Sequence, residues 1–224
     1  MTYITGVDIS GWNNPNKFQE IAAAQHKFAF IKATEGTTYE YKHLEHFAIA
    51  RAAGLIVGAY HFARPDGGVN DAINEAKHFT SIYKCQAGDL PPVLDIESNP
   101  ANLSTVKLVT WIDAYLNEIE QLQSITPIMY TYTSFWKYNL KKTMLFSRFP
   151  LWQAHYTSAN SPGKLTAWDK WTFWQYTSKG SIPGLKGNFD INRFYGDESQ
   201  LKLLTLQTVQ DCQCTCMCCQ HHDQ

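Results

Sequence analysis

Disulfide staples are missing from the body of this chain, where Cys85 is the only cysteine before residue 212. Folds that depend on covalent cross-links are thereby excluded, and packing alone must hold the body together. An excess of one charge is missing too. With 19 Lys plus Arg against 20 Asp plus Glu, the formal net charge is -1, which excludes a protein whose affinity comes from neutralising nucleic-acid phosphates. No apolar run approaches the roughly 18 to 20 residues that span a bilayer, so no membrane span is expected. Met1 to Ser10 lack a basic segment followed by an apolar one, so no classical secretory signal is expected. There is no Gly-rich phosphate loop and no Gly-x-Ser-x-Gly elbow, and Cys85-Gln-Ala carries no nucleophile signature. What is present is 44% hydrophobic content with 7 Trp, 12 Tyr and 12 Phe in 224 residues. That is enough for a sizeable core, and it excludes general disorder.

Short β-rich apolar runs alternate with longer helical patterns from the N-terminus. Strands are predicted at Val7 to Ser10, Phe28 to Thr34, Val57 to Ala63, Val93 to Glu97 and Ile128 to Tyr132. Helices are predicted at Phe18 to Gln25, His43 to Ala53, Asp71 to Tyr83, Thr105 to Leu122 and Ser134 to Leu140. Strand–helix units in succession imply parallel strands, because each helix carries the chain back across a sheet face. After Pro150 the runs Leu151 to Tyr156, Thr172 to Thr177 and Asn188 to Phe194 read as strands joined by loops. The expected fold class is α/β: an irregular (β/α) barrel of about eight strands and five helices with a helix-poor C-terminal third. An open doubly wound sheet competes, and periodicity does not separate the two. One domain is expected over 1–208, followed by a Cys/His-rich tail over 209–224.

The segment richest in chemistry is Leu90-Pro-Pro-Val-Leu-Asp-Ile-Glu-Ser98. Alternate side chains on a strand share a face, so Asp95 and Glu97 point together while Ile96 points away. Their Cα atoms are expected roughly 6.5 to 7 Å apart. Carboxylates that close raise one another's proton affinity, which equips one of them for general acid catalysis of glycosidic cleavage. The other acidic pair at this spacing, Glu118 and Glu120, lies in a helical stretch where residues two apart do not face each other, and reads as solvated surface. Asp8, with Ser10 on its face of the first strand, and Asp190, with Asn192 on its face of the last, would meet Asp95 and Glu97 if a barrel closes. Taken singly, each reads more readily as a structural hydrogen-bonding Asp. Four acids at strand ends also fit a metal site, but no His–carboxylate spacing around them favours one, and no cofactor is expected.

Tyr60 and Phe62, Tyr130 and Tyr132, and the group Trp152, Trp168, Trp171 and Trp174 place flat apolar faces near strand ends. Such faces suit sugars, although core packing explains any one of them. His61 and His155 read as packed, hydrogen-bonded histidines.

Taken together, Gly6-Val-Asp-Ile-Ser10, Phe28-Ala-Phe-Ile-Lys-Ala-Thr-Glu-Gly36, Gly58-Ala-Tyr-His-Phe62, Pro91-Pro-Val-Leu-Asp-Ile-Glu97, Leu151-Trp-Gln-Ala-His-Tyr156, Trp174-Gln-Tyr-Thr-Ser178 and Gly187-Asn-Phe-Asp-Ile-Asn192 resemble family 25 of the glycoside hydrolases, the Chalaropsis-type lysozymes. The resemblance spans about Gly6 to Phe194. It implies an endo-acting N-acetylmuramidase that cleaves the β-1,4 bond between N-acetylmuramic acid and N-acetylglucosamine in peptidoglycan, with retention at the anomeric carbon. It implies that Glu97 is the proton donor. Asp95 then either stabilises the oxocarbenium-like centre or orients the substrate's acetamido group as internal nucleophile, the second being favoured. Asp8 and Asp190 match the family's other active-site acids, and Tyr60, Tyr130, Trp152 and Gln153 its sugar-contacting wall. The expected partner is a peptidoglycan glycan strand, met by a monomer. Without a recognisable signal, synthesis in the cytoplasm is expected, with action on the wall after release through a holin-type pore or a dedicated secretion route, as for a phage-type endolysin.

The chain departs from the family's repeat modules in its tail, where Cys212, Cys214, Cys216, Cys218 and Cys219 precede His221 and His222. These are soft-metal ligand types at a spacing unlike a zinc finger, so a tail irrelevant to catalysis, a metal partner, and disulfide cross-linking or lipidation stay open. Two competing functions are a glycan-binding protein without turnover on the same barrel and a metal-responsive interaction protein acting through the tail. Retention of all four carboxylates speaks against the first.

Overall fold

The computed structural model describes residues 3–11 and 17–207. Two hydrophobic layers follow from strand alternation. In β1 (Ile4–Ile9), β2 (Phe28–Glu35) and β4 (Ile56–Phe62), Val7, Ile9, Ala29, Ile31, Val57 and Ala59 turn outward to meet helices. Phe28, Phe30 and Tyr60 turn inward, joined by Val93 of β5 (Val93–Asp95), Ile128 and Tyr130 of β6 (Ile128–Tyr132) and Trp152 of β7 (Leu151–Ala154). Phe173 of β8 (Phe173–Gly180) and Phe194 of β9 (Phe189–Phe194) complete the inner layer. Its rings pack closely: Phe30 stacks on Trp152 at 4.4 Å, and Phe28 and Phe30 meet Phe173 edge-on at 5.2 and 5.1 Å. Gly6 and Gly58 leave room for them, because a Cβ at either would lie 2.5 or 2.6 Å from the Phe28 or Phe30 ring.

Seven strands run parallel in the order β1, β2, β4, β5, β6, β7, β8. The last, β9, pairs antiparallel with both β8 and β1. That double pairing closes the sheet into an eight-stranded barrel and decides against the open alternative. The two-residue β3 (Tyr39–Glu40) adds to the edge of β2 outside the ring.

Around the barrel lie α1 (Phe18–Ala23), α2 (Glu45–Ala52), α3 (Val69–Ile82), α4 (Thr105–Gln123) and α5 (Thr133–Tyr138). In α4 the buried Leu108, Trp111, Ile112, Tyr115, Leu116 and Ile119 recur at helical spacing, and the Ser104 hydroxyl accepts the Lys107 N–H at its start. No helix among the described residues is long and apolar enough to cross a membrane. Between β7 and β8 the chain crosses over without a helix, as its composition suggests. A sixth helix, α6 (Glu198–Leu203), was not expected. Asp197 and Gln200 form a reciprocal capping box at its start, and Leu201 joins the inner cluster of Phe28, Phe173 and Phe194. It closes one end of the barrel, leaving the other for chemistry.

Candidate active site

The C-terminal ends of the parallel strands gather the polar side chains that the inner layer excludes. Asp8 and Asp190 are register partners across β1 and β9. Asp95 ends β5, and the pleat continues past it: Ala63 N–H donates to the Asp95 carbonyl at 2.9 Å and Ile96 N–H to the Tyr130 carbonyl at 3.0 Å. Ile96 is therefore sent into the outer core, and Glu97 returns to the inner side. All four acids border one cavity of about 240 Å³, together with Lys32, Tyr60, Tyr130, Trp152 and Gln175. A second cavity, of about 400 Å³, adjoins it at Glu97, Tyr130 and Tyr156 and runs past Tyr132, Thr133, Ser134 and His155. Glu97 is the one carboxylate that borders both.

A directed hydrogen-bond network holds the cavity floor. The Trp152 indole N–H donates to Asn192 Oδ1 at 2.8 Å, and Asn192 Nδ2 donates to Asp8 Oδ2 at 2.8 Å. Tyr130 and Tyr156 hydroxyls donate to Gln175 Oε1 at 3.0 and 2.9 Å, and Gln175 Nε2 donates to the same Asp8 oxygen at 2.9 Å. Each amide thus has one orientation, and Asp8 is held as an acceptor. The rim is charged. Lys32 Nζ donates to Glu35 Oε2, and Glu35 also takes Arg64 Nε at 2.7 Å.

Burial raises the proton affinity of all four acids. Burial, reinforced by Asp190, pushes Asp8 up to about 7 against the pull of its two amide donors. Burial pushes Asp190 up to about 6. Asp95 is raised well above the usual carboxylate range, first by burial and then by Glu97, and its Oδ1 is buried with no hydrogen-bond partner among the described residues. Burial also raises Glu97, while Lys32 and Arg64 hold it back. Asp95 and Glu97 therefore both bind a proton more tightly than isolated carboxyls do, and as neighbours they titrate as a pair.

Tyr60, Tyr130 and Trp152 lie where the sequence suggested, beside the acids. Trp152 is nearly buried, a floor more than an exposed platform. Gln153 does not join them. As the strand neighbour of the inward Trp152 it turns outward, donating to Gly163 O at 2.7 Å and Thr133 Oγ1 at 3.1 Å, and it borders a separate cavity with Trp168 and Trp171. Sequence reasoning missed Lys32, Gln175 and Tyr156. Lys32 had a signal, a lone charge in the inward row Phe28, Phe30, Lys32; Tyr156 and Gln175 lie within motifs of the resemblance, which gave neither a role. His61 is packed as expected, held between Thr34 Oγ1 at 2.7 Å and Glu75 Oε2 at 2.6 Å. His155 Nδ1 accepts the Gly163 N–H at 3.0 Å. On α4, Glu120 pairs with Arg148 at the surface. The tail cysteines and the boundary at 208 lie outside the described residues.

Comparisons with known proteins agree with this geometry. Residues 7–185 match the family model described as glycosyl hydrolases family 25. Lysozyme M1 of Streptomyces globisporus is 34% identical over 216 residues, covering 92% of this chain and 72% of that protein. An N,O-diacetylmuramidase of Chalaropsis sp is 32% identical over 205 residues, covering 84% of this chain and 96% of that one. The crystal structure of a bacterial lysozyme from Streptomyces coelicolor superposes with a TM-score of 0.85 at 32% identity, over 92% of this chain and 98% of that one. A closed mixed barrel, four acids at its mouth and a family match over most of its length lead to one conclusion: this chain belongs to glycoside hydrolase family 25.

Proposed function

We propose that the chain is a retaining N-acetylmuramidase that hydrolyses the β-1,4 bond between N-acetylmuramic acid and N-acetylglucosamine in peptidoglycan, with Glu97 as general acid. The observation that carries this reading is the position of Glu97, a half-buried carboxyl with a raised proton affinity at the junction of two cavities. A glycan laid across both would place its scissile oxygen there. Glu97 gives its proton to the departing N-acetylglucosamine oxygen as the C–O bond breaks. The acetamido carbonyl oxygen of the muramic residue closes on the anomeric carbon from the opposite face. The acetamido N–H meets the Asp95 carboxylate on the cavity wall, which favours ionised Asp95 and leaves the shared proton on Glu97. Glu97, now a carboxylate, takes a proton from the water that opens the ring, and two inversions give net retention. Asp8 and Asp190 hold sugar hydroxyls, and Tyr60, Tyr130 and Trp152 form the apolar wall.

The catalytic unit is residues 1–208, acting as a monomer, and the tail over 209–224 plays no part in hydrolysis. The enzyme reaches the wall after release from the cytoplasm. Proton NMR of soluble glycan fragments during the first turnovers tests the stereochemistry. The β-anomer of the new muramic reducing end is expected first, with mutarotation following. Initial α-anomer would contradict retention, and no new reducing ends would contradict the activity itself.

A further inference from the structure

Away from the catalytic mouth, His43, Glu45 and His46 converge at the start of α2. His46 N–H donates to the His43 carbonyl at 3.0 Å, forming a tight turn that brings their side chains to one side. The two imidazoles stack at 5.0 Å with 13° between planes. Glu45 Oε1 lies 3.0 Å from His43 Nδ1. One nitrogen of each ring and one Glu45 oxygen all lie within 4.8 Å of one another. We propose that these three residues form a binding site for a divalent first-row transition ion of the zinc class.

The donor set selects the ion. Two imidazoles and a carboxylate suit zinc and its neighbours, whereas magnesium and calcium prefer oxygen donors throughout. Three protein ligands leave a fourth tetrahedral position for water. The site is also supported from behind. His46 is buried at 4% exposure, its Nδ1 held 3.0 Å from the Tyr41 hydroxyl and its ring packed against Phe18. His43 and Glu45 have side chains 25% and 58% exposed, which leaves the ion a path from solvent. Tetrahedral ligands at zinc distances are about 3.4 Å apart, so binding requires the donors to draw closer and the stacked rings to turn until both nitrogens face one ion. None of the three borders the catalytic cavity, so the ion would stand apart from the glycosidase chemistry. Tyr41 N–H donates to the Ala33 carbonyl of β2 at 2.7 Å, so a bound ion would fasten the start of α2 to the strand that carries Lys32.

The test is a zinc titration of the full chain, with its thiols alkylated so that the tail cysteines are silent. Calorimetry and thermal unfolding are compared for wild type, His43→Ala and Glu45→Gln, at a part-buried and an exposed side chain. Wild type is expected to bind one zinc and to melt at a higher temperature in its presence. Each variant is expected to bind about tenfold or more weakly and to lose that shift, with peptidoglycan clearance without zinc unchanged. No zinc binding by wild type, or equal binding by all three proteins, would overturn the proposal; the latter would place the ion elsewhere, such as His221 and His222.

Discussion

Glu97→Gln is expected to clear peptidoglycan suspensions on the order of a hundredfold or more slowly than wild type, the usual scale of a lost general acid. The swap keeps shape and polarity but removes the transferable proton, so glycan binding should survive. Kinetics should show the loss in kcat with KM little changed. Folding should not suffer. Burial raises the proton affinity of Glu97 from its ordinary 4.5, so above that pH the native site resists releasing a proton that the unfolded chain gives up. Native stability thus declines as pH rises through that window, and a neutral amide removes the penalty. Equal clearance by both proteins would remove Glu97 from its role.

Asp95→Asn is expected to lose a comparable factor, on the order of a hundredfold, because a carboxylate facing the developing positive charge is replaced by a dipole. The same variant should be more stable than wild type at pH 8. The sign follows from Asp95 being raised well above 3.8 in the folded protein, chiefly by burial. Between that ordinary value and the raised one, the unfolded chain holds fewer protons than the native one, so wild-type stability falls as pH rises. Denaturant midpoints at pH 4 and pH 8 check this. The advantage of the variant should be present at pH 8 and shrink at pH 4. An Asp95→Asn protein that is less stable at pH 8, with full activity, would show that the carboxylate is a structural anchor.

Much of this was legible because parallel strands covered on both faces read as apolar runs, and the helices between them keep a clear period. Val93 to Asp95 and Ile128 to Tyr132 could be read directly, and the pairing of Asp95 with Glu97 follows from alternation alone. Barrel closure could not be read, because it depends on hydrogen bonds between Ile4–Ile9 and Phe189–Phe194, at opposite ends of the chain. Nor could the roles of Gln175 and Asn192, since an amide signals nothing until the groups it orients are in place. The α6 helix was overlooked although Asp197 and Gln200 have capping-box spacing. Gln153 shows the limit of reading by resemblance. Its neighbour Trp152 faces inward, and adjacent strand residues cannot share a face.

The central claim is proton donation by Glu97, and leaving-group dependence tests it most directly. Wild type and Glu97→Gln should be compared on native glycan and on an aryl glycoside whose phenol departs without protonation. If Glu97 supplies the proton, the variant will be crippled on glycan yet approach wild type in kcat/KM, which reports bond breaking, on the aryl substrate, and the fall in wild-type kcat/KM at alkaline pH will vanish in the variant on that substrate. Equal losses on both substrates, with the alkaline fall intact, would contradict the account.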